Sequence, residues 1–325
     1  MSRQRQTPAL VAIVAALVLA LASPAAAIQK NDKSKKEKEP KAPPTGTPVL
    51  WEERDAASLD LFHGPGGEAN LPDLSSLTFV KEEKGGWSKK YRVKDGKGRT
   101  WVAKVGREAQ SETAATRLVW AAGYMTEITY LAPSATIPNV GTFENVRFEL
   151  RPEGVKRHGM WSWSQNPFSG KRELQALKTL MILLNNWDMK DENNVLLTDG
   201  GPDLRYAISD LGATLGKTGS GALWTLKRSR NDPEGFSADK FVKGVKAGGV
   251  VEFDFTGKNT NLLEDITVEQ ARWAGELLSR LSDKQLNDAF RAANYTPAQI
   301  SQFTAAVRGR INELVNLRAG ASASR

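Results

Sequence analysis

The sequence predicts an α+β fold in two lobes, a smaller β-rich part followed by a larger helical one. Three observations carry that prediction. Residues 75–106, SSLTFVKEEKGGWSKKYRVKDGKGRTWVAKVG, alternate apolar and polar positions in short runs broken by glycine-containing turns, as successive antiparallel strands do. From Arg151 the apolar spacing changes to three and four, so that Leu174, Leu177, Leu180, Met181 and Leu184 share one face of a helix. The last third carries three helix starts in succession: Thr267 with Gln270, Ser282 with Gln285, and Thr296 before Pro297. With 325 residues, 40% of them hydrophobic, the chain is long enough to bury a real core.

At the N-terminus, Arg3 and Arg5 precede the apolar run Ala9 to Ala22, Pro24 and the small residues Ala25 to Ala27. A basic start, an apolar run short for a bilayer and a small-residue end describe a secretory signal peptide over 1–27; an uncleaved anchor helix is the other reading. The chain is therefore expected to be exported, to a periplasm or the extracellular space, with no stable membrane anchor after cleavage. Residues 28–48 hold six lysines against Asp32, Glu37 and Glu39 and few large apolar side chains. Such a stretch does not bury enough surface to offset its ordering entropy, and it is expected to be a disordered linker. The β-rich N-lobe is then expected over 49–150 and the helical C-lobe over 151–325.

Within the N-lobe, Tyr91 and Val93 alternate with polar neighbours, and Lys94 to Gly98 forms a turn. The next strand sets Trp101, Ala103 and Val105 on one face and Val102 and Lys104 on the other. A helix follows, with Ser111 as its cap, Ala115, Leu118, Val119 and Ala122 on its buried face and Gly123 at its end. NVRFEL, NVLLT and LRYAISD are further strands. The aromatic run Met160 to Phe168 is expected to pack between the lobes, and Trp187 beneath the loop that follows it.

Composition removes several chemistries. Without cysteine there is no disulfide and no thiol nucleophile. His63 and His158 are the only histidines, too few for a multi-histidine zinc site, and no partner is expected for either. Of the net charge of +8, +2 falls on residues 1–27 and +3 on 28–48, leaving +3 for residues 49–325. A nearly balanced folded part gives no basic footprint, so no nucleic-acid partner is expected.

The polar stretch NNWDMKDENNVLL, Asn185 to Leu197, lies between an apolar helix and an apolar strand. A calcium loop starting at Asp188 would put Lys190 at its third position, Asn193 at the glycine position and Asp199 at the final glutamate position. It fails at all three. The order Asp188, Lys190, Asn193 is D-x-K-x-x-N, and DMKDEN resembles the D-L-K-P-E-N catalytic run of the protein-kinase-like superfamily. Other parts of that family's set appear in the family's order. WVAK ends on Lys104 and is similar to the V-A-I-K motif. KGGWSKKY gives a loop with Gly85 and Gly86. The following helix offers Glu112, with Glu108 one turn earlier as a fallback. YAISDLG supplies Asp210-Leu211-Gly212, a D-x-G. The resemblance spans about residues 75 to 216.

The resemblance implies a two-lobed protein-kinase-like fold that binds ATP and Mg²⁺. Lys104 would contact the phosphates, held by Glu112, beneath a loop opened by Gly85 and Gly86. Asn193 and Asp210 would hold the metal. Asp188 would orient and deprotonate the acceptor hydroxyl, and Lys190 would offset charge on the moving phosphoryl group. Asp191 and Glu192 are expected as solvated turn residues, and Lys89 and Lys90 as exposed hairpin lysines. The departures are equally specific. Asn186-Trp187 replaces His-Arg, the glycine loop is incomplete, no A-P-E follows, and TDGGPDLRY lengthens the gap between Asn193 and Asp210. These features are similar to the atypical, phosphoinositide-kinase-like branch. The acceptor is left unnamed. A nucleotide-binding pseudokinase or envelope interaction module without catalysis, and AMP transfer to protein, remain as alternatives.

Overall fold

The computed structural model describes residues 44–318, so the expected signal peptide and most of the expected linker lie outside the described residues. In chain order the strands of the first half are β1 (Thr47–Val49), β2 (Thr78–Glu83), β3 (Lys90–Lys94) and β4 (Thr100–Lys104). Helix α1 (Glu108–Ala121) and strands β5 (Thr129–Ile137) and β6 (Gly141–Arg151) follow. Strands β2 to β6 form one antiparallel sheet in the order β2-β3-β4-β6-β5. The β3–β4 turn is fixed by Asp95, whose carboxylate accepts the Lys97 and Arg99 amides and the Trp101 indole.

Alternation gives this sheet two different faces. Trp101, Ala103, Phe148 and Leu150 enter an aromatic-rich core with Tyr91, Val93 and Tyr130. On the other face the register sets Val102 opposite Glu149 and Lys104 opposite Arg147, and all four are buried. One face holds the sheet together, and the other carries buried charge.

The second half comprises β7 (Lys156–Arg157), α2 (Arg172–Leu183), β8 (Asn194–Thr198), β9 (Asp203–Ile208), α3 (Trp224–Lys227) and α4 (Pro233–Ala238). Then come β10 (Val242–Val245), β11 (Val251–Phe253), α5 (Val268–Ser279), α6 (Asp283–Arg291) and α7 (Pro297–Val315). All three expected caps are full capping boxes, with Thr267, Ser282 and Thr296 each exchanging bonds with the glutamine three residues on. Among the described residues no helix is long and apolar enough to cross a membrane.

The two cores do not divide at 49 and 150. Thr47–Val49 pairs in parallel with β9, so two residues expected in the linker belong to a sheet of the second half. Leu50 and Leu61, together with Ala114, Ala115, Leu118 and Val119 of α1, pack into the large core with α2, α5, α6 and α7. Helix α1 is sequentially part of the β-rich half but rests on the helical half. Gln110 Nε2 reaches the Ala293 and Asn294 carbonyls beyond α6, at 3.1 and 3.2 Å.

Ser111 does not cap α1. Gly106, at φ +108°, turns the chain directly out of β4, so the helix starts a turn earlier at Glu108 and Ser111 is buried inside it. Its hydroxyl donates instead to Gly212 O at 2.9 Å. The other end is as expected. Gly123 (φ +101°) donates to Trp120 O and Tyr124 donates to Val119 O, a Schellman closure. A Cβ on Gly123 would lie 2.4 Å from Glu52 O, so this close approach also requires glycine.

Candidate active site between sheet and helices

Lys104 ends β4 with its side chain 1% exposed. Its Nζ lies 2.8 Å from Glu112 Oε2, 2.9 Å from Glu108 Oε2 and 3.3 Å from Asp210 Oδ1. Both glutamates offered by the sequence are therefore used. Their one-turn spacing on α1 brings both to the same cation. Burial acts to lower the lysine's proton affinity, but Glu112, Asp210 and Glu108 outweigh it and raise its pKa. The other Glu112 oxygen faces Arg147 Nη1 at 2.8 Å.

This contact is one link in a longer series. Arg147 meets Glu149 at 2.9 Å, Glu149 meets Arg151, and Glu127 meets both Arg151 and Arg157. Arg157 Nη2 and Glu127 also engage the hydroxyl of Ser209, next to Asp210. Three arginines and three glutamates, Glu112 included, thus line the junction of β6 with β7 and β9. Their charges are compensated pairwise, as buried charges must be.

The catalytic-loop candidates sit on the strand-helix side. Helix α2 exits through Asn185 in the left-handed region (φ +54°), whose amide donates to Gly216 O and whose oxygen accepts from Arg310 of α7. Asp188 follows, half-buried, with Lys190 Nζ on one oxygen and Lys258 Nζ on the other, each at 2.9 Å. Burial pushes the Asp188 carboxyl up, but hydrogen bonds from Lys258 and Lys190 outweigh it and leave its pKa below the usual aspartate range. Asn193 Nδ2 donates to Asp188 O at 2.6 Å, while Asn193 O accepts the Ser209 and Asp210 amides. The loop and the D-x-G segment are thereby tied together. Gly212 N donates to Asp210 Oδ1, and a Cβ on Gly212 would lie 2.8 Å from Glu108 Cβ. Burial pushes Asp210 up, but Lys104, then the Gly212 amide and Arg147, hold it below the ordinary value.

Lys104, Glu112 and Asp210 are thus brought into contact, and Asp188, Lys190 and Asn193 share the adjoining loop. Gly85 and Gly86 are exposed at φ +107° and +78° in the β2–β3 loop. They touch none of these groups directly, but Ser88 of the same loop donates to Glu108 Oε2 at 2.6 Å. Lys90 is half-buried rather than exposed, because it pairs across the strands with Lys104. Asp191 is not merely solvated: it accepts the Trp163 amide at 3.0 Å. Trp161 and Trp163 pack inside the large core, not between lobes. Each histidine has a partner, His63 in Asp60 and His158 in Thr198.

A cleft of about 350 Å³ opens in front of Asp188, with Glu108, Arg107, Arg228, Arg230 and Trp187 among its walls. Lys258, Arg147, Glu127 and the Arg228–Arg230 pair were not singled out by sequence reasoning. The KRSR run, Lys227 to Arg230, was the available signal for the last of these.

The donor set suits Mg²⁺ bound together with phosphate. Asp210 supplies a carboxylate, and Asn193 Oδ1 accepts no hydrogen bond among the described residues. Both are hard oxygen donors. Among the described residues no group of three or more His, Asp or Glu is placed to hold a metal, so the remaining ligands would be phosphate oxygens and water.

No protein-family model matches the chain, and no curated protein matches it. Among solved structures it is similar to the Helicobacter pylori proinflammatory kinase CtkA, at 12% identity and a TM-score of 0.43, over 75% of this chain and 93% of that one. It is also similar to a Shewanella oneidensis toxin–antitoxin complex of HipA, HipB and operator DNA (8%, 0.36, 78% and 70%). A third similarity is to the Rio2 kinase–ADP/Mg²⁺–phosphoaspartate complex of Chaetomium thermophilum (13%, 0.31, 74% and 72%). The chain's own arrangement is α+β: a five-stranded sheet, α1 between β4 and β5, and a loop and D-x-G joined through Asn193 O.

Proposed function

We propose that the chain is an exported ATP- and Mg²⁺-dependent phosphotransferase of the atypical kinase-like branch. The observation that supports this most is the Lys104 ammonium held between Glu112 and Asp210, with Asn193 O bonded to the Asp210 amide and Asp188 five residues earlier. A cation already compensated by carboxylates is fixed in place, and incoming phosphate oxygens replace Asp210 and Glu108 as its partners. When bound, Mg²⁺ neutralises charge on those phosphates. Asp210 and Asn193 Oδ1 would hold it.

Asp188 orients the acceptor. In transfer, the acceptor hydroxyl oxygen bonds to the γ-phosphorus, the bond to the β–γ bridging oxygen breaks, and ADP leaves with that electron pair. The hydroxyl proton passes to Asp188. Because two lysines depress its basicity, Asp188 acts chiefly by alignment and takes the proton late. The acceptor must also displace one lysine from it.

A second reading, nucleotide binding without transfer, is favoured by the same two lysines and by the Arg–Glu series at the junction of β6 with β7. One experiment separates the two. Saturating Mg-ATP at 100 times its dissociation constant stabilises a binder by about 2.7 kcal/mol. A melting shift accompanied by label transfer from γ-labelled ATP supports the phosphotransferase. A shift without transfer supports the second reading, label from the α-position alone supports AMP transfer, and neither shift nor label rejects all three. Export is tested separately, by whether residues 1–27 carry a reporter out of the cytoplasm.

A further inference from the structure

The acceptor cleft is unevenly charged. Five cations, Arg107, Lys190, Arg228, Arg230 and Lys258, line it against Glu108 and Asp188. Lys190 and Lys258 are engaged by Asp188, and Arg230 by Glu108 at 3.1 Å. Arg107 and Arg228 have no carboxylate within 4.0 Å among the described residues, so the cleft holds more positive charge than it satisfies.

Arg228 is also prepared for a ligand. Its guanidinium lies 3.9 Å from the Trp187 ring centroid and 5.6 Å from that of Trp224. Stacking fixes the plane of the fork while leaving its edge donors free, the arrangement that suits bidentate recognition of phosphate. Trp187 immediately precedes Asp188, so this fork is tied to the loop that would align the acceptor hydroxyl. Lys258 is held there too. Its amide donates to Trp187 O at 3.0 Å, and Asn259 Nδ2 donates to Met189 O at 2.7 Å.

We propose that the acceptor is a phosphorylated alcohol, its phosphate bound by Arg228 and Arg107 and its free hydroxyl presented to Asp188 in place of Lys258. This rests on the phosphotransferase reading. The cleft volume suits a small molecule or a headgroup. The same chemistry occurs free, as in glycerol 3-phosphate, or in a bilayer, as in phosphatidylglycerol. The bonds made and broken are those given above, and the product is a second phosphate ester on the same molecule.

The test follows melting of the full chain with saturating Mg-ADP, then with glycerol 3-phosphate or glycerol added. Glycerol 3-phosphate is expected to raise the melting temperature further and glycerol not. Arg228→Gln is expected to weaken glycerol 3-phosphate about tenfold, the loss of one charge-assisted contact, while retaining the Mg-ADP shift that reports a folded nucleotide site. With γ-labelled ATP, label on glycerol 3-phosphate assigns a free acceptor. Label on phosphatidylglycerol vesicles and not on phosphatidylcholine vesicles assigns a lipid one. Equal responses to glycerol and glycerol 3-phosphate overturn the proposal. So does loss of the Mg-ADP shift in Arg228→Gln with glycerol 3-phosphate binding intact, because the arginine would then serve the nucleotide. A chain that answers glycerol 3-phosphate but never Mg-ADP keeps the anion site and loses the phosphotransferase reading.

Discussion

The two ends of the interlobe cleft handle charge in opposite ways. Around Lys104 the closest ionic groups are buried and matched. Lys104 and Glu112 are each 1% exposed, and Arg147 closes the other side of the glutamate. Around Asp188 the side chains are half-exposed, and cations outnumber acids. Burial explains the contrast. A charge removed from water is tolerated only with a partner, whereas one left at a surface can wait for a ligand. The first end therefore holds a shape, and the second keeps its charge open to solvent.

Breaking the matched end should produce the largest effect. Glu112→Ala leaves Lys104 and Arg147 buried beside each other and is expected to cost about 3–5 kcal/mol, read from urea unfolding. Around the second end, Asp188→Asn should cost less stability than Glu112→Ala, because its two lysines reach solvent, and should lower transfer by about 10²–10⁴-fold in single-turnover assays. Equal stability losses in the two variants would erase the contrast.

Lys258→Met sharpens it. The Asp188 pKa is depressed, so its contribution to stability is present above the ordinary aspartate range and is lost as pH falls through the lower folded value. Removing one of its two lysines should shift both that acid loss and the acid limb of the rate profile to higher pH. An unmoved acid limb would mean that Lys258 does not hold the carboxylate. The smallest effects belong to positions outside the cleft's charge system. Thr267→Ala removes a capping box and should cost about 1 kcal/mol. Trp87→Ala, at a side chain 93% exposed on the rim, should change stability by less than about 0.5 kcal/mol.

Local chemistry made much of this visible in the sequence. Alternation in RVK and WVAK placed Lys104 on the face opposite Trp101, and D-x-K-x-x-N and D-L-G marked two loops that do meet. The three C-terminal caps were legible because a capping box involves only four consecutive residues. What escaped depends on tertiary approach. Lys258 is far from Asp188 in sequence and reaches it because the chain passes close to Trp187 at Gly257, where a Cβ would lie 3.1 Å from the Trp187 Cα, with Asn259 in the left-handed region nearby. Ser111 misled because its capping signature is sound, but Gly106 starts the helix earlier. The 49–150 boundary misled because the sequence does not say which core a helix will join, and α1 joined the one formed later in the chain.

That attachment has a temporal consequence. Helix α1 is fastened to the helical half through Gln110, Ser111 and its apolar stripe, and it carries both glutamates that grip Lys104. Pinned in this way, the helix brings both glutamates to Lys104 as a consequence of its own docking, so the charged cluster is completed by the same folding event that closes the large core.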